Sequence, residues 1–219
     1  MAKRKVTVDD QLSFKRIADA QISPDGSKIV FQMGDTYIEN TSNAKSNLWM
    51  VPTESGEPRR ITSSSRSDIK PRWSPNSGHL AFLSDRIQDG QYQIYILPGN
   101  GGEAIQLTDT EGAFPTQGGV PALQWSPDGS KIAYIKYDPE TADEKQRRKE
   151  KRDLIDFEKQ AKFMRIYVVD IQSQEQTCVS PDGLQIWDFC WSPDGEHFAA
   201  VASDLPFETH WYLNRLVRF

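Results

Sequence analysis

One ten-residue stretch decides the fold, and it reads Trp125-Ser126-Pro127-Asp128-Gly129-Ser130-Lys131-Ile132-Ala133-Tyr134. Its Ser-Pro-Asp-Gly centre predicts a tight turn, because proline presets φ to about −65° at the first corner and glycine supplies the left-handed conformation at the end. The apolar run after the turn is typical of a strand that is buried on both faces. The stretch therefore predicts two antiparallel strands joined by a short connection.

The same pattern recurs along the chain. Turns of this kind begin at Ser23, Ser74, Ser126 and Ser192, so the repeat advances by 51, 52 and 66 residues. A fifth copy at Ser180 lacks the apolar strand and is interpreted as an ordinary turn between repeats. Repeats of about 50 residues indicate a repeated supersecondary unit, stacked side by side.

Each repeat also carries later strand segments. Predicted third strands are Asn47–Val51, Gln93–Leu97 and Arg165–Val169, and predicted fourth strands are Pro58–Thr62, Ala104–Thr108 and Gln176–Val179. Four antiparallel strands per tandem unit predict an all-β fold, a β-propeller. A β-solenoid is the alternative, but its coils are shorter and need no hairpins.

The repeats divide the chain into about four blades, so that residues 1–219 form a partial propeller. The predicted blades lie near 12–62, 63–108, 113–179 and 185–219. In the last repeat, Trp211–Phe219 is interpreted as a third strand with no fourth strand after it, which predicts that Phe219 is not a natural domain end. The open blade edges also favour self-association, because an unpaired apolar strand is a template for pairing.

A charged insertion interrupts the third repeat at 138–162. Thr141 and Glu144 have the spacing of a capping box, which predicts a short, exposed helix. The alternatives are a tolerated surface insertion, which is favoured because loop extension costs little, and a docking arm.

Composition excludes several classes of function. The 219 residues carry a net charge of −5 and a pI near 5.3, whereas nucleic-acid-binding domains are usually basic. No run approaches the roughly 18 apolar residues of a membrane span. The start of the sequence lacks the apolar region of a signal peptide, which predicts the cytoplasm. Cys178 and Cys190 are expected to be free and mostly buried thiols.

No chemistry-bearing constellation is apparent, so we predict no catalytic, cofactor-binding or metal-binding residues and no cofactor. The G-x-S-x-G elbow of serine hydrolases is absent, as are the common metal motifs. His79 and His197 follow repeat turns, and His210 has no obvious nucleophile near it. The Gly99–Gly102 run lacks the Lys-Ser/Thr of a phosphate loop and is interpreted as a hairpin turn.

The order of these pieces resembles the N-terminal propeller of the prolyl oligopeptidase family of serine peptidases, and its acylaminoacyl-peptidase branch in particular. Four stretches carry the resemblance: Leu12–Gly26, Leu48–Thr62, Pro71–Arg86 and the charged insertion before Arg165–Asp170. The resemblance spans nearly the whole chain, although the repeat alone is shared with TolB-type propellers.

The resemblance implies a propeller that caps an α/β-hydrolase domain and admits short or N-acylated peptides. That hydrolase domain is absent from these residues, so no catalytic residue transfers to this chain. Some relatives hold a substrate amino terminus with a Glu pair. The nearest match is Asp143–Glu144, which is interpreted as a solvated helix start. The alternative function is a stand-alone TolB- or WD-like scaffold for protein interactions, and a third is a propeller with its own central-channel active site.

Overall fold

The fold is known from a computed structural model that describes residues 4–35, 45–116, 122–151 and 161–219. The chain divides into two compact units, Met1–Gln106 and Leu107–Phe219. Each unit holds two antiparallel sheets. Among the described residues, no helix is both long and apolar enough to cross a membrane.

The first unit contains one short helix and two four-stranded sheets. Helix α1 spans Val8–Ser13. The first sheet, blade 1, has the order β1-β2-β3-β4 and contains β1 (Lys15–Ile22), β2 (Lys28–Asp35), β3 (Ser46–Pro52) and β4 (Arg59–Arg60). The second sheet, blade 2, has the order β5-β6-β7-β8 and contains β5 (Asp68–Trp73), β6 (His79–Gln88), β7 (Gln91–Pro98) and β8 (Ile105–Gln106).

The second unit contains a four-stranded and a three-stranded sheet. Blade 3 has the order β12-β11-β10-β9 and contains β9 (Leu123–Trp125), β10 (Lys131–Tyr137), β11 (Met164–Asp170) and β12 (Gln176–Cys178). Blade 4 has the order β13-β14-β15 and contains β13 (Gln185–Trp191), β14 (Phe198–Ser203) and β15 (Arg215–Arg218). The predicted all-β fold of about four propeller blades is thus confirmed. Within Trp211–Phe219, only β15 is a strand, because Glu208–Leu213 form a 3₁₀ helix.

The repeated turn is held by the same hydrogen bonds in every blade. In blade 3 the Ser126 hydroxyl donates to Asp128 Oδ1 (2.6 Å) and accepts from the Lys131 N–H (2.9 Å), while Asp128 Oδ1 also accepts from the Ser130 N–H (3.0 Å). The equivalent serine contacts Asp25, Asn76 or Asp194 in the other blades. Because the bonds favour the carboxylate, the pKa of Asp128 falls to about 2.

The left-handed residue of the turn differs in blade 2. Gly26, Gly129 and Gly195 have φ of 72°, 74° and 73°, but in blade 2 the left-handed residue is Ser77 at 58°, not Gly78. A serine is tolerated there, since its hydroxyl accepts a bond from the Asp25 N–H of blade 1 (3.1 Å). The strained residue therefore also links two blades.

The tryptophan before each turn packs against the neighbouring blade. The Trp73 Nε1–H donates to the Gln21 carbonyl of blade 1 (3.3 Å), and the Trp191 Nε1–H donates to the Gln124 carbonyl of blade 3 (3.4 Å). Each acceptor lies two residues before the turn serine of its own blade, so both units use the same inter-blade contact. Trp73 belongs to a hydrophobic core of the first unit, and Trp191 packs against a hydrophobic core of the second.

The charged insertion contains helix α2, which spans Ala142–Lys149. The Thr141 N–H donates to Glu144 Oε2 (2.7 Å) and Thr141 Oγ1 accepts from the Glu144 N–H (3.2 Å), so the helix begins with a capping box. No residue of α2 is buried. Residues 152–160 of the predicted insertion lie outside the described residues.

The expected burial of the cysteines is wrong. Cys178 and Cys190 are free but both are exposed. Cys178 lies on the outer strand β12, whose three residues are all exposed. Cys190 follows the buried Phe189 on β13, and successive side chains of a strand point to opposite faces.

Candidate functional site

The edge at which blades 1 and 2 converge carries strained backbone and paired charges. The adjacent edge strands β1 and β5 each contain a shift of register, between Ala18 and Gln21 and between Ile69 and Arg72. Inside these bulges Asp19 and Lys70 adopt positive φ, 45° and 56°. Bulges redirect side chains, and strained residues of this kind concentrate at functional positions. This edge is therefore the candidate site, called here the inner-edge cluster: Asp19, Gln21, Lys70 and Arg72.

An ion pair joins the two blades within the cluster. The Arg72 guanidinium donates to Asp19 Oδ1 (2.8 Å), and the Gln21 side-chain amide donates to the same oxygen (2.9 Å). The side chains of Asp19 and Arg72 are 15% and 21% exposed, so solvent screens the pair only in part. The other carboxylate oxygen, Asp19 Oδ2, is buried without a hydrogen-bond partner among the described residues.

The cluster can orient a polar ligand, but it contains no nucleophile. A fixed carboxylate and guanidinium offer an acceptor and donors to a peptide group that passes this edge. No Ser, Cys or His belongs to the cluster. In the part of the chain that the structure describes, no group of three or more His, Cys, Asp or Glu side chains is arranged to hold a metal ion.

A second charged feature repeats in blades 2 and 3. The Arg86 guanidinium lies 4.3 Å from the centre of the Tyr95 ring, and the Lys136 ammonium lies 4.3 Å from that of Tyr167. Lys136 also donates to the Glu111 carbonyl (2.9 Å), and burial lowers its pKa. Burial raises the pKa of Tyr167 to about 12. These contacts lie inside blades, where a cation–ring contact stabilises packing.

The residues considered at the sequence level are not brought together. The backbone N–H groups of His79 and His197 donate to Ser74 and Ser192 in the repeated turns, and His210 lies in the 3₁₀ helix beside Phe207. Gly99–Gly102 form the turn between β7 and β8. The Glu144 of Asp143–Glu144 caps α2. The absence of catalytic residues from this chain stays a prediction.

Sequence reasoning missed the inner-edge cluster. Asp19 and Arg72 are separated by 53 positions, and neither belongs to a recognisable motif. The signal that was available is positional, since Gln21, Arg72 and Gln124 each lie two residues before a turn serine. This position is polar in three of the four repeats. Polar residues alternate with apolar ones in any half-buried strand, so the pattern alone does not identify a site.

Comparison with known proteins agrees with this architecture. The sequence profile of the TolB β-propeller domain matches residues 11–146. The peptidase YuxL of Bacillus subtilis (strain 168) is 37% identical over 130 residues, which cover 59% of this chain and 19% of YuxL. The puromycin-hydrolysing peptidase of Mycobacterium tuberculosis has a similar fold (TM-score 0.57, 14% identity), which covers 86% of this chain and 28% of that one. TolB from Acinetobacter baumannii also has a similar fold, with a TM-score of 0.56 and 20% identity. The match covers 84% of this chain and 39% of that one.

The chain is a β-propeller protein, and it belongs to the TolB β-propeller domain family. The resemblance to the propellers of prolyl oligopeptidase-type peptidases is confirmed by its relatives, YuxL among them. The chain spans less than two fifths of the length of the curated relatives YuxL and Atu1656, of which it covers 19% and 39%.

Proposed function

We propose that this propeller is the non-catalytic part of a serine peptidase of the acylaminoacyl- or prolyl-oligopeptidase type. In this proposal it limits access to an α/β-hydrolase domain, so that short or N-acylated peptides enter and folded proteins do not. The observation that carries the proposal is the 37% identity over 130 residues with the peptidase YuxL. The cytoplasmic location expected from the sequence stays a prediction.

The inner-edge cluster gives the gate a chemical basis. A peptide that passes β1 and β5 would meet the Asp19–Arg72 pair and the half-buried Lys70. Peptides carry donors and acceptors along their backbone, so a fixed carboxylate–guanidinium pair can bind them weakly without reacting. Weak binding suits a passage, because a tightly held substrate would not move on to a hydrolase site.

A fluorophosphonate probe, which reacts with activated serines, tests the proposal on the native polypeptide. The protein is captured from its source cells with an antibody against blades 1 to 4 and then labelled. We expect a labelled polypeptide that contains peptides of this chain, whereas the purified 219-residue chain stays unlabelled. A captured polypeptide that carries no reactive serine would overturn the peptidase role.

The alternative function is a stand-alone interaction scaffold, which the match to the TolB domain family favours. In that case the captured polypeptide would be unlabelled and would co-purify with a partner protein. Self-association through open blade edges stays a prediction.

A further inference from the structure

The turn between β7 and β8 contains the single Asn-Gly pair of the sequence, Asn100–Gly101. Asparagine before glycine is chemically labile, because the glycine nitrogen can attack the side-chain carbonyl carbon and no Cβ shields that nitrogen. Asn100 is exposed, and among the residues that the structure describes its side-chain amide makes no hydrogen bond. Gly101 has a φ of 95°, and no atom lies within 4 Å of the place that a Cβ would occupy. The space around both reacting groups is therefore open.

Blade 1 places a cation on the peptide group that would react. The Arg59 guanidinium donates to the Asn100 carbonyl (3.1 Å), and this carbonyl shares its peptide group with the Gly101 nitrogen. Loss of the Gly101 proton spreads negative charge onto that oxygen, since the peptide group is conjugated. A donor aimed at an oxygen where charge develops lowers the barrier of a reaction. Arg59 therefore favours the attacking form of Gly101, whose N–H first has to leave its bond to the Pro98 carbonyl (2.9 Å).

The corresponding groups of the repeated turns are protected. Asn76 Oδ1 accepts hydrogen bonds from the Ser74 hydroxyl (2.7 Å) and from the Gly78 N–H (2.9 Å), which hold the side chain in place. Asp128 precedes a glycine, but its hydrogen bonds lower its pKa to about 2, so that it is a carboxylate at neutral pH. A carboxylate resists attack by a nucleophile, because its carbon is electron-rich and an oxide is a poor leaving group. This contrast distinguishes Asn100 from its counterparts.

We propose that Asn100–Gly101 is a site of spontaneous deamidation, assisted by Arg59 of blade 1. The Gly101 nitrogen gives its proton to hydroxide and bonds to Asn100 Cγ, while the side-chain amino group leaves as ammonia with a proton from water. Water then opens the cyclic imide: its hydroxyl group bonds one carbonyl carbon, the C–N bond at that carbon breaks, and the nitrogen takes the proton. Opening at Cγ gives aspartate, and opening at the main-chain carbonyl carbon gives isoaspartate.

The products place a negative charge at the contact between blades 1 and 2. In isoaspartate, the main-chain carbonyl oxygen that Arg59 binds becomes one oxygen of a free carboxylate. The Lys28 ammonium donates to the adjacent Gly99 carbonyl (3.2 Å), so two cations of blade 1 already face this turn. An ion pair thus replaces a contact between an ion and a neutral carbonyl. The proposal does not depend on the peptidase role, so a negative labelling experiment leaves it intact.

The site is tested on the intact, folded 219-residue chain. The protein is aged in mildly alkaline buffer, and its proteolytic peptides are followed by mass spectrometry, with isoaspartate identified by a protein isoaspartate methyltransferase. We expect the peptide that contains Asn100 to convert at least about tenfold faster than the one that contains Asn76, the effect of the hydrogen bonds on Asn76. Asn100→Gln should abolish the conversion of its peptide. An Asn100 peptide that stays unmodified, or that converts no faster than the Asn76 peptide, would overturn the proposal.

Two arginine variants test the assistance. Arg59→Met keeps the apolar stem and removes the guanidinium, so we expect the rate at Asn100 to fall about three- to tenfold, the effect of one exposed hydrogen bond from a charged group. Arg60→Met is the matched control: Arg60 is the neighbour on β4, with its side chain on the opposite face, and the rate should be unchanged. The difference should vanish in urea, since it depends on the folded contact. Equal rates in the two variants would refute the role of Arg59.

Discussion

Removing the Asp19–Arg72 pair should weaken the first unit measurably. In Arg72→Met the Asp19 carboxylate, whose side chain is only 15% exposed in the native chain, keeps Gln21 as its donor but loses the guanidinium at 2.8 Å. A charged hydrogen bond of this kind contributes about 1.5–3 kcal/mol, and the remaining exposure places the expected loss near 2 kcal/mol.

A double-mutant cycle with Asp19→Asn separates the pair from other contacts of Arg72. Asparagine tolerates the positive φ of this position, so the backbone is preserved. Urea unfolding of the four proteins, followed by tryptophan fluorescence, should give a coupling free energy of about 1–2 kcal/mol. A coupling below about 0.3 kcal/mol would refute the inference that this pair joins the two blades.

Three further predictions follow from the turns and the thiols. The folded-state pKa of Asp128 lies near 2 and that of an unfolded aspartate near 3.9, so its stabilisation is complete above about pH 4 and is lost as pH falls toward 2. Asp128→Asn introduces the residue that blade 2 has at this position, Asn76. It should reduce the fall in the free energy of unfolding between about pH 4 and pH 2, and an unchanged fall would contradict the lowered pKa of Asp128. Gly26→Ala should cost about 1 kcal/mol in chemical unfolding, because φ is 72° although no atom lies within 4 Å of the new Cβ. Native Cys178 and Cys190 should both react with a thiol reagent such as DTNB; protection of either would contradict their exposure.

The repeated turns made much of the fold predictable. Proline, aspartate and glycine act through local backbone geometry, so Ser126–Gly129 and its copies could be read without knowledge of the rest of the chain. The apolar runs after them indicated the second strand of each blade. The left-handed Ser77 was missed, since its conformation depends on the position within the turn and on a bond to Asp25 in another blade.

Contacts between blades could not be predicted from the sequence. The Trp73–Gln21 bond uses a backbone carbonyl, which every residue carries, so no sequence pattern marks it. The Asp19–Arg72 pair forms because the bulges in β1 and β5 change the direction of these side chains. No sequence pattern in these two strands marks the bulges. The exposure of Cys190 was missed for a related reason. The strand register decides to which face of the sheet its side chain points, and the sequence does not give that register.

The most direct test of the central claim is the peptidase activity of the purified 219-residue chain on short peptides and N-acylated substrates. The account predicts hydrolysis at the rate of buffer alone, and no effect of a serine-directed inhibitor, because the proposed role of this chain is to gate access to a hydrolase domain rather than to catalyse. Hydrolysis that persists through repurification and is abolished by the inhibitor would contradict it.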